Sequence, residues 1–439
     1  MDGQKQELMI KEIKLFEETK DDLLEVKDGR PYYKGLLSCV SDGLPDNLVV
    51  DGSLMCYIHS TKLPKGLKVT ELLDVSETDI TEIPDDCEFK SLNVSHTKIT
   101  KLRDNLCLDE LGICETGLTT LPKGLKVKGE LNISYSDITD IPDDCEFGCL
   151  AMEETKITKL RNNLNLIYLD ARGSALQQLP KGLKVKGQLN VSETNITEIP
   201  NDCEFGSLFM NDTKIKKLRD NLVLNNLSIC KSSLTELPKN LIIYYSLDNE
   251  NTNIKSLPYD CLVDRVHCRS MQNDERYKKD TFDYYYHLKD EIVHLKHSSG
   301  KEFLHVDDIL SEVIEKKGNV YRVRNGVNEP ITYVVTDGNN HWAHGDTLEK
   351  AKQDLRYKMS IRDKSEYKDL TLESELMFNE AVACYRVITG ACKLGTNDYL
   401  EHRLPKPHKE KYSIKEIIEL TQNEYGGNTF REFFKKIIK

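Results

Sequence analysis

A chain of 439 residues, 31% of them charged and with a net charge of −12, is too long for one ordinary core and long enough for two or three units. The acidic balance argues against a primary nucleic-acid binder, which carries a basic surplus or a dense basic patch. The opening MDGQKQELMIKEIKLFEETK has no apolar signal core or small-residue cleavage site, and no stretch approaches the ~18 apolar residues of a membrane span, so a cytoplasmic protein without a membrane segment is expected.

Residues 5–28, KQELMIKEIKLFEETKDDLLEVKD, predict an amphipathic helix. With GRPYYKGLLSCVS it forms an N-terminal helical cap, 1–43, that leads into the first coil of a repeat. From residue 44 the chain keeps a clock. IPDDCEF stands at 83 and 141 and IPNDCEF at 199; LPKGLKV stands at 63, 121 and 179; LRDNL or LRNNL stands at 102, 160 and 218. Each recurs at 58 residues, and interleaved they mark steps of 19 or 20, which predicts about twelve coils over 44–268. Within a coil the pattern is L-x-[IVM]-x-x-[ST]-x-I, as in LNVSHTKI (92–99) and LNISYSDI (131–138). Its period-2 start is a short strand with one buried face, and stacked coils bury what a single coil leaves exposed.

That pattern resembles the leucine-rich repeat segment L-x-x-L-x-L-x-x-N-x-L, and the LP opening resembles its short bacterial class. The resemblance implies a solenoid with a parallel β-sheet. Where the family places asparagine, this chain has Thr or Ser (Thr78, Thr97, Thr116, Ser136, Thr155, Ser174, Thr194, Thr213, Ser232 and Thr252), so a buried hydroxyl ladder under the strand ends is expected. Coils this short leave no room for an outer α-helix. Ile83, Cys87 and Phe89 are expected to point inward. Cys87, Cys145, Cys203 and Cys261 lie three coils, roughly 14 Å, apart, beyond disulfide or shared-metal reach, and so are core filling. The thirteen cysteines are odd in number and form no CxxC pair, which predicts free thiols in a reducing compartment. Lysines of the LPKGLKVK coils alternate with acids of the IPDDCEF coils, a neutralising surface pattern.

Strand residues that alternate with the buried ones line the concave face of such a solenoid: Tyr57, Asp74, Glu110, Glu153, Tyr168, Asp170, Arg172, Phe209, Asp248 and Glu250, with Glu77, Glu115, Glu154, Glu193 and Asp212 just beyond the strands. Aromatic anchors in an acidic rim suit a protein partner with a basic surface. Residues 269–300 read as a far cap and connector, with DYYYHLKDEIVHLKH helical.

The clock stops by residue 301, and 301–439 reads as an α+β domain. EFLHVDDIL, NVYRVRN, ITYVVTDG and HWAHG predict strands. Helices are expected over TLEKAKQDLRYKM, over SELMFNEAVACYRVI from Ser374 to Gly390, and after capping boxes at Ser413/Glu416 and Thr429/Glu432. HWAHGDTLEKA is similar to the GDTLEEA turn of HicB-type antitoxin domains, and YRVITGAC resembles a domain of uncharacterised proteins of Bacteroides-type bacteria and their phages. That resemblance implies a phage- or prophage-related factor acting on a host protein, with an anti-defence role, and no established activity.

For chemistry, the Cys-x-Asp loop of effector ubiquitin ligases is absent. Cys384 lies on the stripe Met377, Ala381, Cys384, Ile388, a helix core. Cys392 could act as an exposed nucleophile with His341, His344 or His402, and His287, His294, His297 and His305 could gather around a metal; both are secondary to a reading with no cofactor, metal or catalytic residue. The leading expectation is a non-enzymatic protein-binding module whose C-terminal domain supplies a second contact or joins two copies of the chain. The alternative is a Cys/His enzyme in 301–439 steered by the solenoid.

Overall fold

The computed structural model describes residues 25–39, 43–57, 60–254, 257–267, 276–279, 285–289, 294–359 and 364–435. The chain divides into two compact units, 1–216 and 217–439, and through both it winds as a parallel β-solenoid of about twelve turns of ~19 residues, followed by a C-terminal region of strands and helices.

In the first unit the register is read from one column of leucines. Leu37, Leu54, Leu73, Leu92, Leu111, Leu131, Leu150, Leu169, Leu189 and Leu208 pair in sequence down the parallel ladder, and none is more than 1% exposed. Winding begins earlier than expected. Arg30–Lys34 pairs in parallel with Val49–Asp51, and Leu37–Cys39 with Leu54–Cys56, so GRPYYKGLLSCVS contains a rung of its own. The helix expected over 5–28 lies outside the described residues up to 24. Its last part, Glu25–Lys27, is a strand hairpinned onto Arg30–Tyr32.

Two turns close each coil. In the first, the Thr or Ser hydroxyl donates to the carbonyl three residues back: Thr78 to Val75 at 2.6 Å, Thr97 to Val94 at 2.6 Å, Thr155 to Met152 at 2.9 Å, Ser174 to Ala171 at 2.7 Å and Thr194 to Val191 at 2.6 Å. These hydroxyls are buried, as the sequence implied. In the second turn, the amide of a left-handed residue is taken by an Asp side chain one coil on: Gly66 N–H by Asp86, Gly124 N–H by Asp144, Gly182 N–H by Asp202. The aspartate just before the cysteine of each IPDDCEF or IPNDCEF motif is therefore a coil-to-coil stitch. Its cysteine is core: Cys87, Cys145, Cys203 and Cys261 are at most 1% exposed, and each thiol points at the proline carbonyl of the preceding coil, 3.5–3.9 Å away. Ile83 and Phe89 are only half-buried, with the Arg103 guanidinium over the Phe89 ring. Exposed pairs such as Lys68–Glu88, Lys126–Glu146 and Lys184–Glu204 join lysine and acidic rows.

In the second unit the last solenoid strand, Leu262–His267, is covered by an antiparallel strand, Tyr285–Leu288, itself paired with Tyr277–Lys279. The helix expected over DYYYHLKDEIVHLKH is thus replaced by strands here and at His294–Lys296. An open sheet edge demands backbone partners, and that demand overrides the local helical pattern. The Tyr277 hydroxyl accepts from Val263 N and donates to Val263 O, fixing the cover.

Six strands, His294–Lys296, Glu302–Val306, Ile309–Lys317, Val320–Arg324, Ile331–Thr336 and Trp342–Gly345, form an antiparallel meander in chain order. EFLHVDDIL is a hairpin rather than one strand: Val306 pairs with Ile309 across a two-residue loop, and Asp307 and Asp308 both have positive φ, 54° and 61°, as a type I′ turn requires. Helix α1 (Leu348–Met359) lays Ala351 and Leu355 on Val335 and Ala343 of this sheet. Helices α2 (Phe378–Thr389), α3 (Lys393–His402), α4 (Ile414–Thr421) and α5 (Gly427–Lys435) enclose a second core around Cys384, Ile388, Ile414, Ile417, Phe430 and Phe434. The Ser413/Glu416 capping box is formed. Thr429/Glu432 is not a box: Gly426, at φ 80°, lets α5 restart at Gly427, which puts Thr429 inside it. Ser374 caps the turn at Thr371, and Met377, with Glu380 reaching back to its amide, starts α2.

The hydroxyl ladder gives a graded test. Thr155→Val removes a buried donor and leaves the Met152 carbonyl short of a partner, so urea denaturation should show a loss of about 1–3 kcal/mol. Ser136→Ala, at a ladder position whose buried hydroxyl has no hydrogen-bond partner, should stay within about 0.5 kcal/mol of the wild type. Equal effects would separate the ladder from stability.

Candidate functional site

The acidic face and the C-terminal cluster are different kinds of site. On the first unit, the strand residues expected to line the concave face split by role. Asp74 Oδ1 accepts from the Ser76 amide and hydroxyl at 2.9 and 2.6 Å. Asp170 is buried, takes the Arg172 amide on Oδ1, and takes the Tyr168 hydroxyl and the Asn190 amide group on Oδ2. Asn93, Asn132 and Asn190 likewise hold the amide two residues on. These side chains are turn caps first. Glu153 pairs with Arg172 at 3.2 Å and accepts from the Tyr135 hydroxyl. Tyr57, Glu110 and Glu154 are not buried, and Phe209 is half-buried. In the second unit Asp248 takes the Glu250 amide and the Cys230 thiol and lies 3.1 Å from the His267 ring; Glu250 is half-buried.

Just past each strand stands a residue at positive φ: Glu77, His96, Glu115, Tyr135, Glu154, Gly173, Glu193 and Asp212, at 49° to 63°. Their amides continue the ladder to the next coil, as Glu77 N to Ser95 O and Glu154 N to Arg172 O. In two coils of every three the other turn also needs positive φ, and there the residue is Asn or Gly: Asn47, Gly66, Asn105, Gly124, Asn163 and Gly182; the IPDDCEF and IPNDCEF turns have no such residue. Asn and Gly are what the left-handed region prefers; Glu, His and Tyr are not.

In the C-terminal region, the hairpin turn aims two acids inward. Asp308 accepts from Tyr425 N at 2.9 Å and faces Arg403 at 3.5 Å. Arg403 also holds Glu424 and, at 2.8 Å, Asp398. The group borders a cleft of about 620 Å³ whose other wall carries Tyr245, Arg265 and His267. Three carboxylates on one guanidinium leave negative charge in excess. Burial, with Asp308 adding to it and Arg403 opposing it, pushes the Glu424 carboxyl up to about 7.

Asp307 points the other way. Its Oδ1 takes the Lys358 ammonium, which also donates to Trp342 O at 2.5 Å. Burial alone would raise the Asp307 carboxyl, but Lys358, and after it the His344 ring when that ring is protonated, outweigh it and hold it at about 2. Its Oδ2 lies 3.6 Å from His344 Nδ1; neither atom has an N–H or O–H hydrogen-bond partner, and the Cys392 thiol adjoins the carboxylate. Cys392 is the N-cap of α3 and its sulfur accepts from Gly395 N at 3.2 Å. Asp307, His344 and Cys392, all buried, bring one ligand atom each to within 4.8 Å of one another. Among the described residues this is the group that could hold a metal.

The histidines singled out by sequence do not gather among the described residues. The His287 side chain lies outside them; His294 is edge-on to Tyr321 and Trp342; His297 bonds Asp260 O and Ser299; His305 pairs with Asp264 at 3.1 Å. Cys392 is next to His344, one of its three expected partners, while His341 is held by Asp337 and His402 by Asp398. An exposed nucleophile it is not: Cys392 is fully buried, and burial, then Asp307, push its thiol well above the ordinary range. Cys384 is core as read. Sequence missed Asp307 and Lys358; the one signal was the Asp-Asp pair in a slot that hairpins fill with Asn-Gly or Asp-Gly.

No family model, curated protein or solved structure matches the chain. Among the described residues no helix is long and apolar enough to cross a membrane.

Removing Arg403 tests the charge network. Arg403→Met should cost about 3–5 kcal/mol near neutral pH, because three buried carboxylates lose their cation. The loss should shrink as the pH falls and those carboxylates take up protons, so thermal melts of variant and wild type should converge toward pH 5. A pH-independent gap would assign Arg403 to packing alone.

Proposed function

We propose that the protein is a non-enzymatic binding module that holds a basic protein surface against the acidic side chains at its strand ends. The observation that carries this reading is the contrast between the two turns. Where only backbone conformation matters, the chain uses Asn and Gly; at the strand ends it keeps Glu77, Glu115, Glu154 and Glu193 at positive φ, a conformation that costs a glutamate more than it costs an asparagine. A glutamate retained against local strain at every second coil, and exposed, is suited to contact rather than to folding. The row is acidic, and association would be steered by charge and weakened by salt.

The assignment to the cytoplasm belongs to the same proposal and draws support from twelve free thiols among the described residues. A host protein as partner, in a phage-related setting, rests on the C-terminal resemblance alone.

The test is a triple substitution that separates binding from folding. Glu115, Glu154 and Glu193→Asn should leave stability unchanged or raise it by up to about 1 kcal/mol per site, while abolishing capture of a basic protein from lysate by the immobilised chain, read by mass spectrometry. Lys123, Lys126 and Lys128→Glu, on the return side, should leave capture intact. If the Asn triple unfolds the protein, or captures the same partner as before, the strand-end row is structural and the reading fails.

A further inference from the structure

We propose that Asp307 Oδ2, His344 Nδ1 and Cys392 Sγ form a binding site for a zinc-class divalent transition metal, independent of the solenoid's binding face. Three observations converge on it.

The first is the hydrogen-bond chain behind His344. The Ser311 hydroxyl donates to Asn325 Oδ1 at 2.9 Å, so toward His344 Nε2, at 3.4 Å, it offers a lone pair. In the neutral ring Nε2 therefore carries the proton, and Nδ1 presents a lone pair to the Asp307 carboxylate. Two acceptors then face each other in a buried place, an arrangement that asks for a cation between them. Lys358 does not supply it, because it occupies the other carboxylate oxygen.

Distance is the second. At 3.6 Å, Nδ1 and Oδ2 are too far apart to share a proton in a normal hydrogen bond. Two zinc bonds of about 2.1 Å at a tetrahedral angle place their donor atoms about 3.4 Å apart. The sulfur, within 4.8 Å of both, needs to close by at most about an ångström to reach bonding distance.

The third is the sulfur's setting. Cys392 caps the N-terminus of α3 and receives the Gly395 amide, contacts that favour a thiolate. In this buried place the thiol otherwise keeps its proton; metal binding replaces that proton, which is released to solvent as the S–M bond forms. Imidazole and thiolate select zinc-class ions over magnesium or calcium. A cavity of about 80 Å³, lined in part by Asp307 and Cys392, adjoins the group. Bound so, the metal ties the hairpin turn, the strand Trp342–Gly345 and α3 into one knot.

Cobalt(II) titration of the metal-stripped full-length chain tests this. A Cys107→Ser background removes the one exposed thiol among the described residues. Uptake of one equivalent with a thiolate-to-cobalt charge-transfer band and tetrahedral visible bands is expected, reversed by zinc, with the melting temperature raised by either ion. Cys392→Ala should abolish the charge-transfer band. His344→Gln, which keeps the thiol, should weaken uptake by roughly tenfold or more, a second readout if the cysteine variant does not fold. No charge-transfer band in excess cobalt, or a band unchanged in both variants, overturns the site.

Discussion

The solenoid depends on one local bond, made at every Thr and Ser of the ladder except Ser136 and Ser232: the hydroxyl is given to the carbonyl three residues before it. It turns the chain out of the strand under the coil while keeping the polar group satisfied in a place without water. A left-handed residue precedes the hydroxyl, an Asx side chain holds the amide two residues beyond itself, and the next leucine enters the column. Remove the hydroxyl and the turn has no buried donor; remove the turn and the leucines at Leu73, Leu92 and Leu111 lose the register that packs them. Hydrophobic burial supplies the driving force, but the turn decides where it is directed.

Much of this was legible because a solenoid writes its structure many times. One copy of LNVSHTKI says little, but repetition at fixed spacing exposes which positions tolerate change. The Thr/Ser positions, the buried cysteines and the neutralising charge rows were all readable that way. The Asx caps were not, since Asp74 and Asp170 occupy the alternating positions that also define an exposed strand face, and periodicity cannot distinguish a contact residue from one folded back on its own amide.

The C-terminal region lacks that redundancy. Its helices were readable from caps, and Gly390 and Ser413 mark boundaries as expected. What failed were segments governed by distant partners. The stretch after the last coil has a helical pattern but answers the edge of Leu262–His267. The buried polar cluster draws on a hairpin turn, a strand and the ends of two helices. Cys392 and His344 could be singled out by residue type, but only the fold brings Asp307 and Lys358 to them.

The stitch between coils has an evolutionary corollary. Asp144 reaches back 20 residues to Gly124, and Asp202 back to Gly182 in the same way. Both bonds belong to copies of one 58-residue pattern, so they are defined by phase and not by absolute position. An unequal crossover between two copies would splice Asp144 or Asp202 behind an equivalent glycine and regenerate the bond at the seam, along with the leucine register and the proline carbonyl that receives the cysteine. Genes of this kind can gain or shed three coils in a single recombination event without passing through an unfolded intermediate sequence, which makes the length of the acidic face a heritable variable separate from its chemistry.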